Sequence, residues 1–128
     1  MKVEELMVGD WIFCTYKQKN YKVAEIKTVA DEELRLVVYD NNIPLVFRIK
    51  YFKPIPLTPE ILEKNGIKHQ WGMPWYQGGF DGVFELHYNN SQDIAFGDTP
   101  TEIQIPIRYV HQLQHVLKLC GIYEEITL

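Results

Sequence analysis

The sequence predicts an α+β fold: a small antiparallel, β-barrel-like (SH3-like) sheet at the N-terminus, a short capped helix, further antiparallel strands and a C-terminal amphipathic helix. Three observations predict it. Aromatic residues make up 13% of the chain, with 8 Tyr, 6 Phe and 3 Trp, and such side chains favour the half-buried surface of a sheet. Alternating apolar segments joined by short polar turns follow one another through residues 6–53, the pattern of a meander or partly closed barrel. Two later segments read as helices instead, the first with N-cap and C-cap residues in place and the second with an apolar stripe stopped by a glycine.

The elements follow in order. Gly9-Asp10 supplies turn chemistry, and Trp11 to Tyr16 alternate as a strand after a turn. Lys17 to Asn20 reads as a polar hairpin connection, Tyr21 to Val29 as a second strand, and residues 30–33 as a turn. Leu34 to Tyr39 is a third strand and Asp40-Asn41-Asn42 the turn after it. Ile43 to Tyr51 is the fourth, with Leu45, Phe47, Ile49 and Tyr51 on one face and Val46, Arg48 and Lys50 on the other. Pro54 and Pro56 then end strand pairing.

A helix over residues 59–65 is the clearest local signal. Thr58 can accept from the open N–H groups of its first turn, and Pro59 loses nothing at a position whose N–H has no helical partner. Gly66 can take the left-handed conformation that closes it, with Ile67 packing back. About two turns cannot be stable alone, so packing must hold this helix. Residues 68–82 are punctuated strand or loop. Strands are expected at 83–88, 93–96 and 102–107, with turns at 89–91 and 97–100. Val110, Leu113, Leu117 and Cys120 recur at helical spacing and, with Val116 alongside, define one face of a helix over 109–120, stopped by Gly121. Residues 123–128 read as a short edge strand. The whole, 1–128, is expected as one α+β domain, with a barrel-like part at 1–57 and the helices and remaining strands at 58–128.

Composition bounds the function. Hydrophobic residues at 46% and charged residues at 23% are ordinary for a packed domain. No apolar run approaches the roughly 20 residues of a membrane span, and the acidic start MKVEELMVGDW lacks a signal-peptide core. Cys14 and Cys120 sit in apolar patterns outside any CxxC pair and read as buried thiols, so the expected location is cytoplasmic. Residues 1–66 carry 10 Lys/Arg and 10 Asp/Glu, whereas 67–128 carry 3 and 7, so the net charge of −4 lies in the second half. That balance argues against an extended phosphate-tracking surface.

Several patterns could carry chemistry. Trp71, Trp75, Tyr76 and Phe80 lie among glycines, as aromatic platforms for a ligand do; aromatics plugging a core have the same composition, and core packing is the favoured reading. Arg48, Lys50 and Lys53, interleaved with Tyr51 and Phe52, form a basic-aromatic strip that could touch phosphates. A solvated edge resisting strand pairing is the plainer reading. His111 and His115, one helical turn apart, have metal-ligand spacing. Without an obvious third ligand they read as the helix's polar flank, and neither metal nor cofactor is expected. His69, Asp81, Glu85 and His87 are the groups that an enzymatic pocket near the aromatic segment would have to gather.

Three stretches, VGDWI, IPLTPEILEKNGI and YVHQLQHVLKLCG, together resemble a family of small uncharacterised proteins common in gut Bacteroidetes and their prophages. Its members read GNW or GDW, then IPLTPEILEKCGF, then YLHQLQNLYFALTG. The resemblance spans the chain and implies a phage or mobile-element setting without implying an activity. Members often carry Asn where this chain has His115, and Cys where it has Asn65, which marks that position as helix-end packing. The leading expectation is therefore a non-enzymatic binding or accessory protein that acts on a partner protein through the barrel edge or the aromatic segment at 71–80. The alternative is a nucleic-acid-associated module using Arg48, Lys50 and Lys53. Third comes a small-ligand or enzymatic pocket near Trp71 to Phe80.

Overall fold

The computed structural model describes residues 5–28, 33–73, 75–81, 84–89, 94–98 and 104–128. It is an α+β protein, mostly antiparallel sheet with two helices. The chain divides into two compact units, Met1–Ile55 and Pro56–Leu128. The expected turns at 30–33, 89–91 and 97–100 lie wholly or partly outside the described residues, as do the expected strand ends at Val29, Val83, Asp93 and Glu102.

The first unit contains β1 (Trp11–Cys14), β2 (Lys19–Lys22), β3 (Glu25–Thr28), β4 (Leu34–Asp40), β5 (Ile43–Arg48) and β6 (Phe52–Lys53). Among the described residues these pair as two three-stranded antiparallel sheets, β2-β1-β6 and β3-β4-β5, and no closed barrel forms. The reason lies in the segment expected as one strand from Tyr21 to Val29, which changes partners midway. The Val23 N–H donates to the Asp10 carbonyl at 2.9 Å, and the Val23 carbonyl accepts from the Gly9 N–H at 2.7 Å. One residue later, the Ala24 N–H donates to Val37 at 2.8 Å. Backbone bonding thus passes from the Gly9-Asp10 turn to β4 across a single peptide unit.

Leu6, Ile12, Cys14, Tyr21, Val23, Leu36, Val38 and Phe52 form the core of this unit. The β4–β5 hairpin closes on Asn41 and Asn42, with φ of 48° and 66°. Consecutive positive φ values belong to the tight turn whose twist matches the flanking strands, and Asn tolerates them. β5 stops at Arg48, earlier than the expected Tyr51, because Ile49–Tyr51 wind into a 3₁₀ turn before β6.

The second unit contains α1 (Pro59–Lys64), β7 (Lys68–His69), β8 (Trp75–Phe80), β9 (Phe84–Asn89), β10 (Ile94–Asp98), β11 (Gln104–Ile107) and α2 (Val110–Leu119). The strands form one antiparallel sheet in the order β11-β10-β9-β8-β7. Thr58 Oγ1 accepts from the Ile61 N–H at 3.3 Å, capping α1 as expected. The two helices end alike. Gly66 and Gly121 adopt φ of 82° and 73°. The Ile67 N–H reaches the Leu62 carbonyl at 2.9 Å and the Ile122 N–H reaches Leu117 at 2.8 Å. Each is a Schellman ending with its isoleucine buried. At the start of α2, Gln112 Oε1 accepts from the Arg108 and Tyr109 N–H groups at 2.8 and 3.1 Å, satisfying donors that the helix leaves open.

Two features of this unit run against the sequence pattern. Gly97 sits inside β10 although glycine and aspartate there read as a turn. A Cβ on it would lie 1.9 Å from Phe84 Cζ, so the position is glycine because an aromatic ring occupies the side-chain space. Residues 123–128 form no strand. Asn65 holds them instead: its Nδ2 donates to the Thr127 carbonyl and its Oδ1 accepts from the Thr127 N–H, both at 2.8 Å. The side-chain amide acts there as one rung of a ladder, and Ile126 is buried beside it in sequence.

Overpacking predicts that Gly97→Ala destabilises the protein by about 1–3 kcal/mol. In a Phe84→Leu background the same substitution should cost clearly less. Denaturant unfolding of the four variants measures the coupling; additive losses would contradict the proposed clash.

Candidate functional site

The structure divides the aromatic segment. β7 and β8 form a hairpin with His69 opposite Tyr76. Its loop is fixed by the Gln70 N–H donating to the Trp75 carbonyl and the Met73 N–H donating to Gln70, both at 3.0 Å, with Gly72 at φ 77°. Strand alternation then sorts the four residues. Phe80 is buried with its centroid 6.3 Å from Phe84, and Tyr76 is half-buried between His69 and Tyr88 at 5.0 and 6.1 Å. Trp75 and Met73 are exposed, and Trp71 is 97% exposed. Of the four expected platform residues Phe80 is core, Tyr76 is half-buried on the covered face, and the two tryptophans stand outside.

His69, Asp81, Glu85 and His87 do not gather in one pocket. The His69 ring meets Tyr76 at a tilt, on the face that carries buried Tyr88. Glu85 and His87 alternate with buried Phe84, Leu86 and Tyr88, so they occupy the other face. There Glu85 accepts a short hydrogen bond from Gln77, and His87 Nε2 lies 3.2 Å from Asp98 Oδ2. Asp81 is at the β8–β9 turn with φ 53°.

The histidine pair on α2 also departs from expectation. His111 is only 1% exposed, with its ring stacked on Tyr109 at 5.9 Å and meeting the edge of His115 at 5.6 Å. The helix buries Val110, His111, Leu113, Val116 and Leu117, a wider arc than the expected stripe. His111 is therefore not on the wet flank of the helix, whereas His115 is half-buried. Among the described residues no group of three His, Cys, Asp or Glu could hold a metal ion. Cys14 is buried, whereas Cys120 at the end of α2 is only half-buried; both are free thiols. Among the described residues no helix is long and apolar enough to cross a membrane.

The basic-aromatic strip is spread over three elements. Arg48 ends β5 and pairs with Glu33 at 3.3 Å. Lys50 lies on the 3₁₀ turn with Nζ 5.2 Å from the Tyr51 ring, and Lys53 lies on β6. Arg48 and Lys50 do not share a strand face, because the strand has ended between them. Tyr16, Phe47 and Tyr51 form an aromatic shelf nearby, with centroids 5.6–6.4 Å apart.

A second basic-aromatic site, not anticipated from the sequence, is a cleft of about 470 Å³ in the first unit. It runs from Val8, Gly9 and Trp11 along β2 to Tyr39, Asp40 and Asn41. Trp11 faces Lys22 across the β1–β2 pair, with Lys22 Nζ 5.2 Å from the ring centroid. Asp40 accepts from the Tyr21 hydroxyl at 2.9 Å and from Lys19 Nζ at 3.1 Å. These two hydrogen bonds hold Asp40 below the usual carboxylate range, the Tyr21 bond contributing most. Burial first, then the bond to Asp40 and its charge, push the Tyr21 phenol up to about 12. The only sequence signal of this cleft was the lysine-rich run 17–22, which resembles an ordinary solvated hairpin.

The neutral Tyr21 phenol is favoured in the folded state. Its contribution is complete below the unfolded tyrosine pKa, about 10, and declines as pH climbs toward about 12, because the unfolded chain releases the proton first. Asp40 works at the other end: its contribution is present above the unfolded carboxylate pKa and is lost as pH falls through its lowered folded value. Thermal melts of the wild type and Tyr21→Phe should therefore differ most at neutral pH and converge as pH rises above about 10. A difference that stays constant would contradict this.

The chain matches no protein-family model, no curated protein and no solved structure.

Proposed function

We propose that this chain is a non-enzymatic binding protein, encoded on a phage or other mobile element, that works in the cytoplasm and docks a partner protein through the tip of the β7–β8 hairpin. The observation that carries the reading is Trp71. An indole left 97% exposed has hydrophobic surface with no intramolecular use, and tryptophan is the residue type most enriched among binding hot spots. Met73 and Trp75 add exposed apolar surface on the same hairpin. The loop's backbone hydrogen bonds order the tip before any partner arrives, so less entropy is lost on docking. The mobile-element setting draws its support from the three-motif resemblance, and the cytoplasmic setting from the two free thiols.

The first unit is read as an SH3-like barrel left open. Its support is the pair of sheets β2-β1-β6 and β3-β4-β5, the bend between Val23 and Ala24, and the 3₁₀ turn before β6.

The test uses a photo-crosslinking phenylalanine analogue at position 71, in cells that naturally carry the gene. A discrete protein adduct is expected from position 71 and not from position 123, where the native Tyr123 is 89% exposed. Trp71→Ala should then weaken binding of the captured partner by at least about 2 kcal/mol while leaving the melting temperature unchanged. Equal adducts from both positions, or undiminished binding by Trp71→Ala, would refute the docking role. Genes of no phage or mobile element around the locus would refute the proposed origin.

A further inference from the structure

The cleft of the first unit combines features that the docking hairpin does not use, and the inference drawn from it stands independently of that reading. Its volume of about 470 Å³ falls in the range of small-ligand sites, roughly 300–1,000 Å³. Two ammonium groups, Lys19 and Lys22, line it against one carboxylate, Asp40. Lys17 also acts electrostatically on Asp40. The described lining residues thus carry a positive balance on a chain whose net charge is −4. Flat aromatic surface accompanies the charge: Trp11 lies beneath Lys22, and Tyr39 is 56% exposed.

We propose that this cleft binds a nucleotide unit, with the base on the aromatic surface of Trp11 and the phosphate on Lys22 and Lys19. Each alternative ligand class lacks a feature that the cleft has or needs one that it lacks. A neutral sugar would use the aromatic ring but leave the lysine excess without purpose. A bare phosphate would use the lysines without the indole. A nucleotide uses both, because a π-face for stacking and an anion are carried on one short covalent frame. Lys22 is suited to the dual arrangement. Its flexible stem presently places the ammonium over the indole, and it can move to a phosphate while a base takes its place on the ring. The Asp40 carboxylate is tied back by Tyr21 and Lys19, which reduces its repulsion of an incoming anion.

The same chemistry is offered by a free nucleotide and by one residue of a single-stranded nucleic acid, and the experiment separates them. The full chain is titrated with 5′-AMP, 5′-UMP, a short oligothymidylate and a polyglutamate peptide, following the Trp11 indole N–H by NMR. At low salt, about 50 mM, the indole resonance is expected to shift with a nucleotide ligand. Saturation by the monophosphates identifies a free nucleotide as the ligand, and saturation by the oligonucleotide alone identifies a strand. Lys22→Glu, at an exposed position, should weaken binding about tenfold or more, while Asp40→Asn, which keeps an acceptor for Tyr21, should tighten it severalfold. A merely structural role for Asp40 would not predict tighter binding. The proposal is overturned if no nucleotide ligand moves the indole, if Lys22→Glu binds like the wild type, or if polyglutamate moves the same resonance as strongly.

Discussion

The first unit depends on the exchange of backbone partners between Val23 and Ala24. A strand that bonded to β1 throughout would extend one flat sheet; a strand that leaves after Lys22 has to satisfy its next N–H and C=O elsewhere. The Gly9-Asp10 turn does this. Gly9 donates to Val23 and Asp10 accepts from it, and the buried Asp10 carboxylate accepts from the Met7 N–H at 2.8 Å, holding the turn in shape. Ala24 is then delivered to β4. The turn that secures the bend also forms one end of the cleft, and the strand leading into it carries Lys19 and Lys22. The GDW tripeptide thus has a backbone role: glycine at φ 94°, an acid that braces the turn, and an indole presented at the rim.

In the second unit, close approach determines what lies inside. Gly97 gives its side-chain space to Phe84, and a Cβ on Gly78 would lie 2.7 Å from Ile67 Cδ1, so two glycines let bulky side chains settle directly on the sheet. Tyr76 and Phe80 belong to the covered face. The alternation that buries them leaves Trp75 outside, and the loop beyond β7 carries Trp71 away from any covering element. A single hairpin therefore provides both core aromatics and exposed ones, and the division follows from strand period alone.

What could be read from the sequence was what neighbouring residues determine. Thr58, Pro59, Gly66 and Ile67 specify both ends of α1 within ten residues, and the Asn41-Asn42 turn needs nothing distant. What could not be read depends on contacts far apart in the chain. The division between β2 and β3 requires a turn some fourteen residues earlier to take up Val23. The strand at Gly97 is legible only once the ring of Phe84 is known to lie there. His111 has the polarity of a helix flank but sits in the interior, because burial on α2 extends beyond the stripe that the apolar spacing defines. Composition marks the exposed tryptophans as candidates, although nothing local separates them from the half-buried Tyr76 and the buried Phe80. The cleft is not legible locally, because Trp11, Lys22 and Asp40 are brought together by pairing and not by adjacency.

The most direct test of this account compares Asp10→Ala with Asp10→Asn by native-state hydrogen exchange. Asn keeps an acceptor for the Met7 N–H, and Ala removes it, leaving a donor whose loss of partner costs about 1–3 kcal/mol. Protection of the Val23 and Ala24 amides should fall by about tenfold or more in Asp10→Ala, together with that of Met7, and stay near the wild-type level in Asp10→Asn. If Asp10→Ala alters Met7 alone and leaves Val23 and Ala24 fully protected, the turn does not hold the bend and the account of the first unit fails.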